Sequence, residues 1–338
     1  MKCAGLAGYP IEHSLSPALH TAVYRELGLD WKYDLYPCAD EHAFAKLVEQ
    51  LRGNQDIEKP EWVGLNVTTP YKPQAHAACD TLTPRARMSA AVNVLTSVGV
   101  KAGRGLVGGG DAGRGLVGGD AGRDLADEDA ERGLAGDNTD GHGLLAALER
   151  ETGITPAGRR FVICGSGAVT RSILAAFEVA ARDGKVPAAV VVLSRRASGD
   201  GYDRVLLHDA SLHDSALPHD GAPFYGVVRS YDEVADVLAN SDVLIDATTL
   251  GMKAGDPSPV PEESMRRGLV VIDTVYGHGE TALLRAARMV GAPAFDGLGM
   301  LVEQAALTIE NWLAAQGISA EVPRELMYTV AQRETLTS

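Results

Sequence analysis

Two short polar segments carrying opposite charges are the parts of this sequence best suited to chemistry. Residues 66–72 read NVTTPYK after a strand-like apolar run, and residues 136–141 read GDNTDG. Both concentrate hydroxyls, amides and charge where a strand should end, which is where α/β folds place ligand-handling groups. Lys72 and one carboxylate of the second segment, Asp137 or Asp140, therefore predict a proton-handling pair.

Composition narrows the classes of partner. The chain has 338 residues, which favours two domains, and a formal net charge of −14 without a Lys/Arg cluster, so we expect no nucleic-acid partner. No apolar run reaches the roughly 18 residues that span a membrane, and no leader-like segment opens the chain, which predicts a cytoplasmic protein without membrane association. The four cysteines and nine histidines show no metal-ligand spacing, so no metal site is expected.

The elements that must position the polar segments alternate between strand-like and helix-like along the first 95 residues, which indicates a mostly parallel sheet. The predicted strands cover residues 2–8, 31–36 and 63–67, and the predicted helices cover residues 16–27, 41–51 and 72–79. This order places NVTTPYK at the end of the third strand.

The alternation stops at residues 102–134, where a ten-residue glycine-rich repeat precedes an acidic stretch. Such a composition buries too little apolar area to offset the entropy of ordering the backbone, so we predict a poorly ordered inserted loop. An extended hairpin is the main alternative. A phosphate-binding glycine loop is disfavoured because no helix-forming run follows either copy of the repeat.

A second α/β unit begins near Arg159 with the order strand, glycine turn, helix and strand that a dinucleotide site requires. The predicted turn covers residues 165–171 and begins with Gly165, Ser166, Gly167, Ala168 and Val169. Its two glycines let the backbone turn sharply and approach a pyrophosphate at a helix N-terminus. A plain structural turn is the alternative, since the third glycine of the usual fingerprint is absent.

The next strand ends at Ser194, Arg195 and Arg196, where NAD enzymes usually carry Asp or Glu. Guanidinium groups match a 2′-phosphate, so the predicted cofactor is NADP, with NAD left open.

Two later strands, residues 243–247 and 270–274, end at the same carboxyl edge of the sheet. Thr248 and Met252 follow the first strand and are predicted to contact the cofactor. Tyr276 follows the second strand and is predicted to contact the substrate. For Met252 and Tyr276, packing in the apolar core is the alternative. Gly299, at the start of a long apolar helix, completes the predicted cofactor set. Gln304 on that helix needs a hydrogen-bonding partner if buried, and a substrate hydroxyl would serve.

Five motifs in one order resemble the shikimate dehydrogenase family, of which quinate/shikimate dehydrogenases are close relatives. They are GYPIEHSLSP at residues 8–17, NVTTPYK, AVN at residues 91–93, GDNTDG, and GLGMLVEQAA at residues 297–306. The resemblance covers nearly the whole chain except residues 102–134 and about 197–225. It implies a two-domain α/β protein: a substrate-binding domain of residues 1–139 completed by helices in 298–338, and a Rossmann-like NADP-binding domain of residues 140–297.

The resemblance also implies an activity, the reduction of 3-dehydroshikimate to shikimate with NADPH in aromatic amino-acid and chorismate biosynthesis. It selects Asp140 as the catalytic partner of Lys72 and leaves Asp137 as a turn or cap residue. The substrate contacts that it implies are Ser14, Ser16, Thr68, Asn93 and Gln304. The two serines face one side of an extended segment, just before a helix whose N-terminus favours an anion, although Ser16 could instead be that helix's N-cap.

Other functions stay open at this point. A quinate/shikimate or aminoshikimate dehydrogenase would share the substrate motifs and could use NAD. A non-catalytic sensor of dinucleotide and metabolite belongs to a different class, and the presence of both Lys72 and Asp140 argues against it. The expected oligomeric state is a monomer or a homodimer.

Overall fold

The structure is a computed structural model that describes residues 1–53, 61–100, 131–195, 204–206 and 225–337. The chain divides into two compact units, Met1–Gly143 with Val302–Ser338, and Leu144–Leu301. Among the helices of the described ranges, none is long and apolar enough to cross a membrane. Arg196 and residues 101–130, which hold most of the predicted insertion, lie outside the described residues.

The first unit contains a six-stranded sheet in the order β2-β1-β3-β5-β6-β4. Its strands are β1 (Lys2–Gly8), β2 (Trp31–Pro37), β3 (Glu61–Val67), β4 (Thr81–Leu82), β5 (Val94–Val100) and β6 (Glu131–Asp137). The predicted parallel pairing holds for β1 with β2 and β3, whereas β5 runs antiparallel to both of its neighbours. Antiparallel neighbours need no long crossover, so the two short helices between β3 and β5 suffice to connect them.

Strand β6 corrects the predicted end of the inserted loop, which the sequence placed at residue 134. The strand begins at Glu131 and pairs with β5 along its whole length, from Val100 to Val94. Leu134 is fully buried in the apolar core. The backbone ladder and this buried side chain extend the sheet four residues, 131–134, into the segment that local composition assigned to the loop.

The helices are α1 (Ser16–Glu26), α2 (Glu41–Leu51), α3 (Lys72–Ala78), α4 (Pro84–Ser89), α5 (Asp140–Thr152), α6 (Ala168–Arg182), α7 (Val234–Ala239), α8 (Ala282–Met289), α9 (Leu298–Ala315) and α10 (Arg324–Thr337). The prediction for α2 is confirmed, and its start is set by Asp40, whose carboxylate accepts the Ala43 amide at 2.8 Å. The alternative that Ser16 caps α1 is wrong: Leu15 holds the N-cap position, without a side-chain bond. Proline in the first turn of α1 supplies the helical φ angle instead.

The second unit contains a seven-stranded sheet in the order β13-β12-β11-β7-β8-β10-β9. Its strands are β7 (Arg160–Cys164), β8 (Ala189–Leu193), β9 (Arg204–Leu206), β10 (Tyr225–Arg229), β11 (Val243–Asp246), β12 (Val270–Asp273) and β13 (Ala294–Phe295). Apart from the antiparallel edge strand β9, all pairs are parallel. The order of the six parallel strands is that of the doubly wound dinucleotide-binding fold, in which ligands bind outside the carboxyl ends where the order reverses. The predicted Rossmann-like fold class is therefore confirmed.

Candidate active site

Lys72 and Asp140 lie in contact in the first unit. Each is the first residue of its helix, α3 and α5 respectively. Lys72 Nζ lies 2.5 Å from Asp140 Oδ2, and the two side chains are only 14% and 9% exposed. Partial burial strengthens this charge-assisted hydrogen bond, because less water screens it. The two polar segments singled out from the sequence therefore meet through these two residues.

Asn93 joins this pair to the neighbouring elements. Its Nδ2 donates to Asp140 Oδ1 at 2.7 Å and to Gln304 Oε1 at 3.4 Å, and its Oδ1 accepts the Thr139 amide at 2.8 Å. Because Asn93 immediately precedes β5, one side chain connects the sheet with the start of α5 and with α9. Four of the predicted site residues, including Lys72, thus form one hydrogen-bonded group.

The close approach of α5 and α9 places Gln304, which is half-buried. Gly143 on α5 faces the backbone of α9, and a Cβ atom at this position would lie 2.7 Å from the backbone nitrogen of Gln304. Only glycine leaves room for the two helices at this distance.

Ser14 and Ser16 lie together at the start of α1. The Ser14 hydroxyl donates to the Ser16 hydroxyl at 3.2 Å and accepts the Ser16 amide at 3.3 Å. Thr68 follows β3, and its amide donates to Ala7 O at 2.9 Å. The segments after β1 and β3 run side by side, with the Tyr9 amide donating to Thr69 O at 3.1 Å. Two hydroxyls at a helix N-terminus suit an anionic group.

Asp137 is not the turn or cap residue that the sequence suggested. Its carboxylate is fully buried and accepts hydrogen bonds from Arg85, Thr83 and Asn311. Sequence reasoning missed Arg85, because a lone arginine in a six-residue helix has the pattern of a solvated side chain. The one available signal was the neighbouring Thr83, which caps α4 by accepting the Ala86 amide.

The glycine turn of the second unit follows β7. Gly165 has a φ of 94°, which favours glycine. Gly167 occupies the N-cap position of α6 and offers no side chain to cap the helix. Ala168 and Val169 are the first helical residues, so the turn predicted over residues 165–171 ends four residues earlier, at Gly167. Ser166 is exposed, and its hydroxyl lies 3.3 Å from that of Ser194.

The remaining predicted residues of the second unit follow its neighbouring parallel strands. Arg195 is exposed just after β8. Thr248 and Met252 follow β11, and the Met252 side chain is 50% exposed. Tyr276 is half-buried after β12, and Gly299 is the second residue of α9. Apart from Gly299, all lie beyond the carboxyl ends of parallel strands, where such folds bind dinucleotides.

Two buried aspartates end β11 and β12. Burial raises the pKa of Asp246 to about 7, with the charge of Asp273 adding to the rise and the amide of Thr248 opposing it. Burial also raises the pKa of Asp273, against hydrogen bonds from Val275 and Thr281. Within the described ranges, no group of three or more His, Cys, Asp or Glu residues could hold a metal ion.

The chain is similar to known proteins over nearly its whole length. Residues 6–95 match the family model described as the shikimate dehydrogenase substrate binding domain. The chain is 33% identical to the shikimate dehydrogenase (NADP(+)) of Methanopyrus kandleri over 326 residues, 95% of this chain and 93% of the relative. It is also 33% identical to that of Halorubrum lacusprofundi over 334 residues, 99% of each chain.

A solved structure agrees with these relatives. The shikimate 5-dehydrogenase of Thermus thermophilus, in complex with NADP(H) and shikimate, has a TM-score of 0.66 and 25% identity. The similarity covers 99% of this chain and 100% of that one.

Proposed function

The chain belongs to the shikimate dehydrogenase family, and on that premise we propose that its Lys72–Asp140 pair catalyses the NADP-dependent interconversion of 3-dehydroshikimate and shikimate. This reaction is a step of aromatic amino-acid biosynthesis. The observation that carries the assignment of the pair is the 2.5 Å contact between Lys72 Nζ and Asp140 Oδ2 in a mostly buried setting.

Lys72 handles the proton of the reaction. When bound, NADPH supplies the hydride that reduces the ketone carbon, and negative charge develops on the carbonyl oxygen. The Lys72 ammonium stabilises this oxygen and donates a proton to it. Asp140 holds the ammonium with Oδ2 and accepts a hydrogen bond from a substrate hydroxyl. In the reverse direction, the Lys72 amine takes the proton from the hydroxyl that is oxidised.

The other polar residues of the first unit bind the substrate. Ser14 and Ser16 donate to its carboxylate, assisted by the N-terminus of α1. Asn93, Gln304 and Thr68 contact the ring hydroxyls. Tyr276, which follows β12 in the second unit, completes the proposed set of substrate contacts.

The second unit binds the cofactor. The glycine turn fits a pyrophosphate, since the exposed Ser166 and Gly167 leave the first amides of α6 without a side-chain cap. Ala168 and Val169 open that helix, and Thr248, Met252 and Gly299 are the proposed contacts to the rest of the cofactor. Arg195 and Arg196 recognise the 2′-phosphate, with Ser194 supporting the turn through Ser166.

The test is an initial-rate assay of the purified protein with shikimate or quinate and with NADP⁺ or NAD⁺. We expect the highest kcat/KM with shikimate and NADP⁺. Faster turnover of quinate with NAD⁺ would favour the quinate/shikimate alternative, and tight binding without turnover would favour the sensor. The expected monomer or homodimer and the cytoplasmic location stay predictions, which light scattering and cell fractionation test.

Substitution of Lys72 tests its role directly. Lys72→Ala should lower kcat by roughly 10²- to 10⁴-fold while leaving the Kd for NADP⁺ nearly unchanged. Lys32→Ala is the matched control, because Lys32 also pairs with an aspartate, Asp34, at 2.8 Å but is 55% exposed. Full turnover in Lys72→Ala would refute the catalytic role.

A further inference from the structure

A buried ion pair lies three residues before Asp140. Arg85 on α4 donates from Nε to Asp137 Oδ1 at 2.6 Å and from Nη2 to Asp137 Oδ2. The Asp137 side chain is 0% exposed and that of Arg85 is 11% exposed. The Thr83 hydroxyl and the side-chain amide of Asn311 each donate to the same carboxylate at 2.6 Å. Side chains from α4, from its N-cap and from α9 therefore converge on the last residue of β6.

The electrostatic balance shows that Asp137 is held as a carboxylate. Burial by itself would raise the pKa of Asp137, but the charge of Arg85 and the hydrogen bonds from Arg85, Thr83 and Asn311 hold that pKa below its usual range. Burial lowers the pKa of the nearby His142 to about 3, so this imidazole adds no charge to the pair near neutral pH.

Stability alone is a weak reason for such a pair. Desolvation of both ions offsets most of their attraction, and apolar replacements of buried pairs are often as stable. A bidentate arginine fork does, however, fix the direction of a carboxylate in space.

Two short routes connect Asp137 to Asp140. In the first, the backbone amide of Asn138 donates to Asp137 Oδ1 at 2.7 Å, and Asn138 Oδ1 accepts the backbone amide of Asp140 at 3.2 Å. In the second, the backbone amide of Asn93 donates to the backbone carbonyl of Asp137 at 3.0 Å, and Asn93 Nδ2 donates to Asp140 Oδ1 at 2.7 Å. Both the backbone and the carboxylate of Asp140 are thus tied to Asp137 through one intervening residue.

We propose that the Arg85–Asp137 pair is a positioning element for the reaction, which holds Asp140 so that its carboxylate faces the Lys72 ammonium. The pair acts through Asn93 and Asn138 and does not itself bind substrate. Its importance for turnover rests on the proposed function, because that function gives the Lys72–Asp140 pair its role.

The kinetic test uses a graded pair of variants. Asp137→Asn removes the charge with little change in shape, and Arg85→Lys keeps the charge but loses the bidentate fork. We expect kcat for shikimate to fall roughly 10- to 100-fold in Asp137→Asn, because small misplacements of catalytic groups cause losses of this size. The kcat of Arg85→Lys should lie between those of Asp137→Asn and wild type. In both variants, KM for NADP⁺ should stay within about twofold of the wild-type value.

A control separates positioning from loss of stability. Leu51→Ala opens a cavity at a fully buried residue in the core of the first unit and should lower the melting temperature. It leaves the contacts of Asp137 in place, so its kcat should match that of wild type at temperatures where it is folded. If Asp137→Asn does not fold, Arg85→Lys is compared with this control.

Crystal structures of wild type and the variants provide a readout that needs no activity, namely the distance between Lys72 Nζ and Asp140 Oδ2. We expect this hydrogen bond to be lost or lengthened in the folded Asp137→Asn variant, or in Arg85→Lys, but kept in Leu51→Ala. An unchanged distance overturns the inference, whatever happens to kcat. A wild type that does not turn over shikimate would refute the proposed function, while the distance would still decide the positioning role.

Discussion

Asp246 should make the stability of the protein fall as pH rises towards neutrality. Its side chain is 0% exposed, and Oδ1 accepts the Thr248 amide at 2.9 Å. Oδ2 has no hydrogen-bond partner among the described residues. Burial raises the pKa of this carboxyl from its ordinary value of 3.8 to about 7. Ionising the folded protein therefore leaves a buried carboxylate that is only partly hydrogen-bonded.

The sign and size of the effect follow from proton linkage. Between about pH 4 and pH 7, the folded state keeps the proton of Asp246 and the unfolded state loses it, so the free energy of unfolding falls as pH rises. The stabilisation is complete below about pH 4 and is lost as pH rises through about 7. At about 1.4 kcal/mol per pH unit, the loss across this window amounts to about 4 kcal/mol.

Urea unfolding of wild type and Asp246→Asn at about pH 4, 5, 6 and 7 measures this loss. The unfolding free energy of the variant minus that of wild type should increase by about 4 kcal/mol across this range, because asparagine does not titrate. Any fixed cost of the new amide cancels in this comparison. Leu244→Ala, at a fully buried position of the same strand, should give a difference that does not vary with pH. A constant difference for Asp246→Asn as well would mean that folding does not raise the pKa of Asp246.

Three further substitutions test the close contacts and the cofactor assignment. Gly143→Ala should raise KM for shikimate but not for NADP⁺, because the new Cβ would lie 2.7 Å from the Gln304 nitrogen; an unchanged KM for shikimate would contradict this. Gly64→Ala should destabilise the protein by about 1–3 kcal/mol, since its Cβ would overlap the indole nitrogen of Trp312, and an unaltered urea midpoint would count against that packing. Arg195→Ala should raise KM for NADP⁺ and leave KM for NAD⁺ unchanged, and equal effects on both cofactors would remove Arg195 from the 2′-phosphate site.

Local signals in the sequence predicted individual elements better than their pairing. Helix α2 was predicted over residues 41–51, as found, because its apolar spacing and its cap at Asp40 act within a few residues. The antiparallel placement of β5 between β3 and β6 was not predicted, because the strand partner depends on contacts far apart in the sequence. Residues 131–134 were assigned to the loop for the same reason: their strand exists through pairing with β5.

The candidate site divides in the same way. Lys72, Asn93 and Asp140 stand in recognisable motifs, and the structure places them in one hydrogen-bonded group. Arg85 and the role of Asp137 could not be predicted, because a charge is recognised as buried only when its tertiary surroundings are known.

Two glycines of the first unit allow close approaches between segments that carry site residues. A Cβ at Gly8 would overlap the methyl group of Thr68, and a Cβ at Gly143 would press on the backbone of Gln304. Each glycine therefore sets the distance between two segments that carry proposed substrate contacts. A polar substitution at the site removes one donor or acceptor, whereas a larger residue at either glycine shifts a whole segment and every contact on it. Changes at Gly8 and Gly143 should consequently alter substrate affinity without changing the chemical groups that bind the substrate.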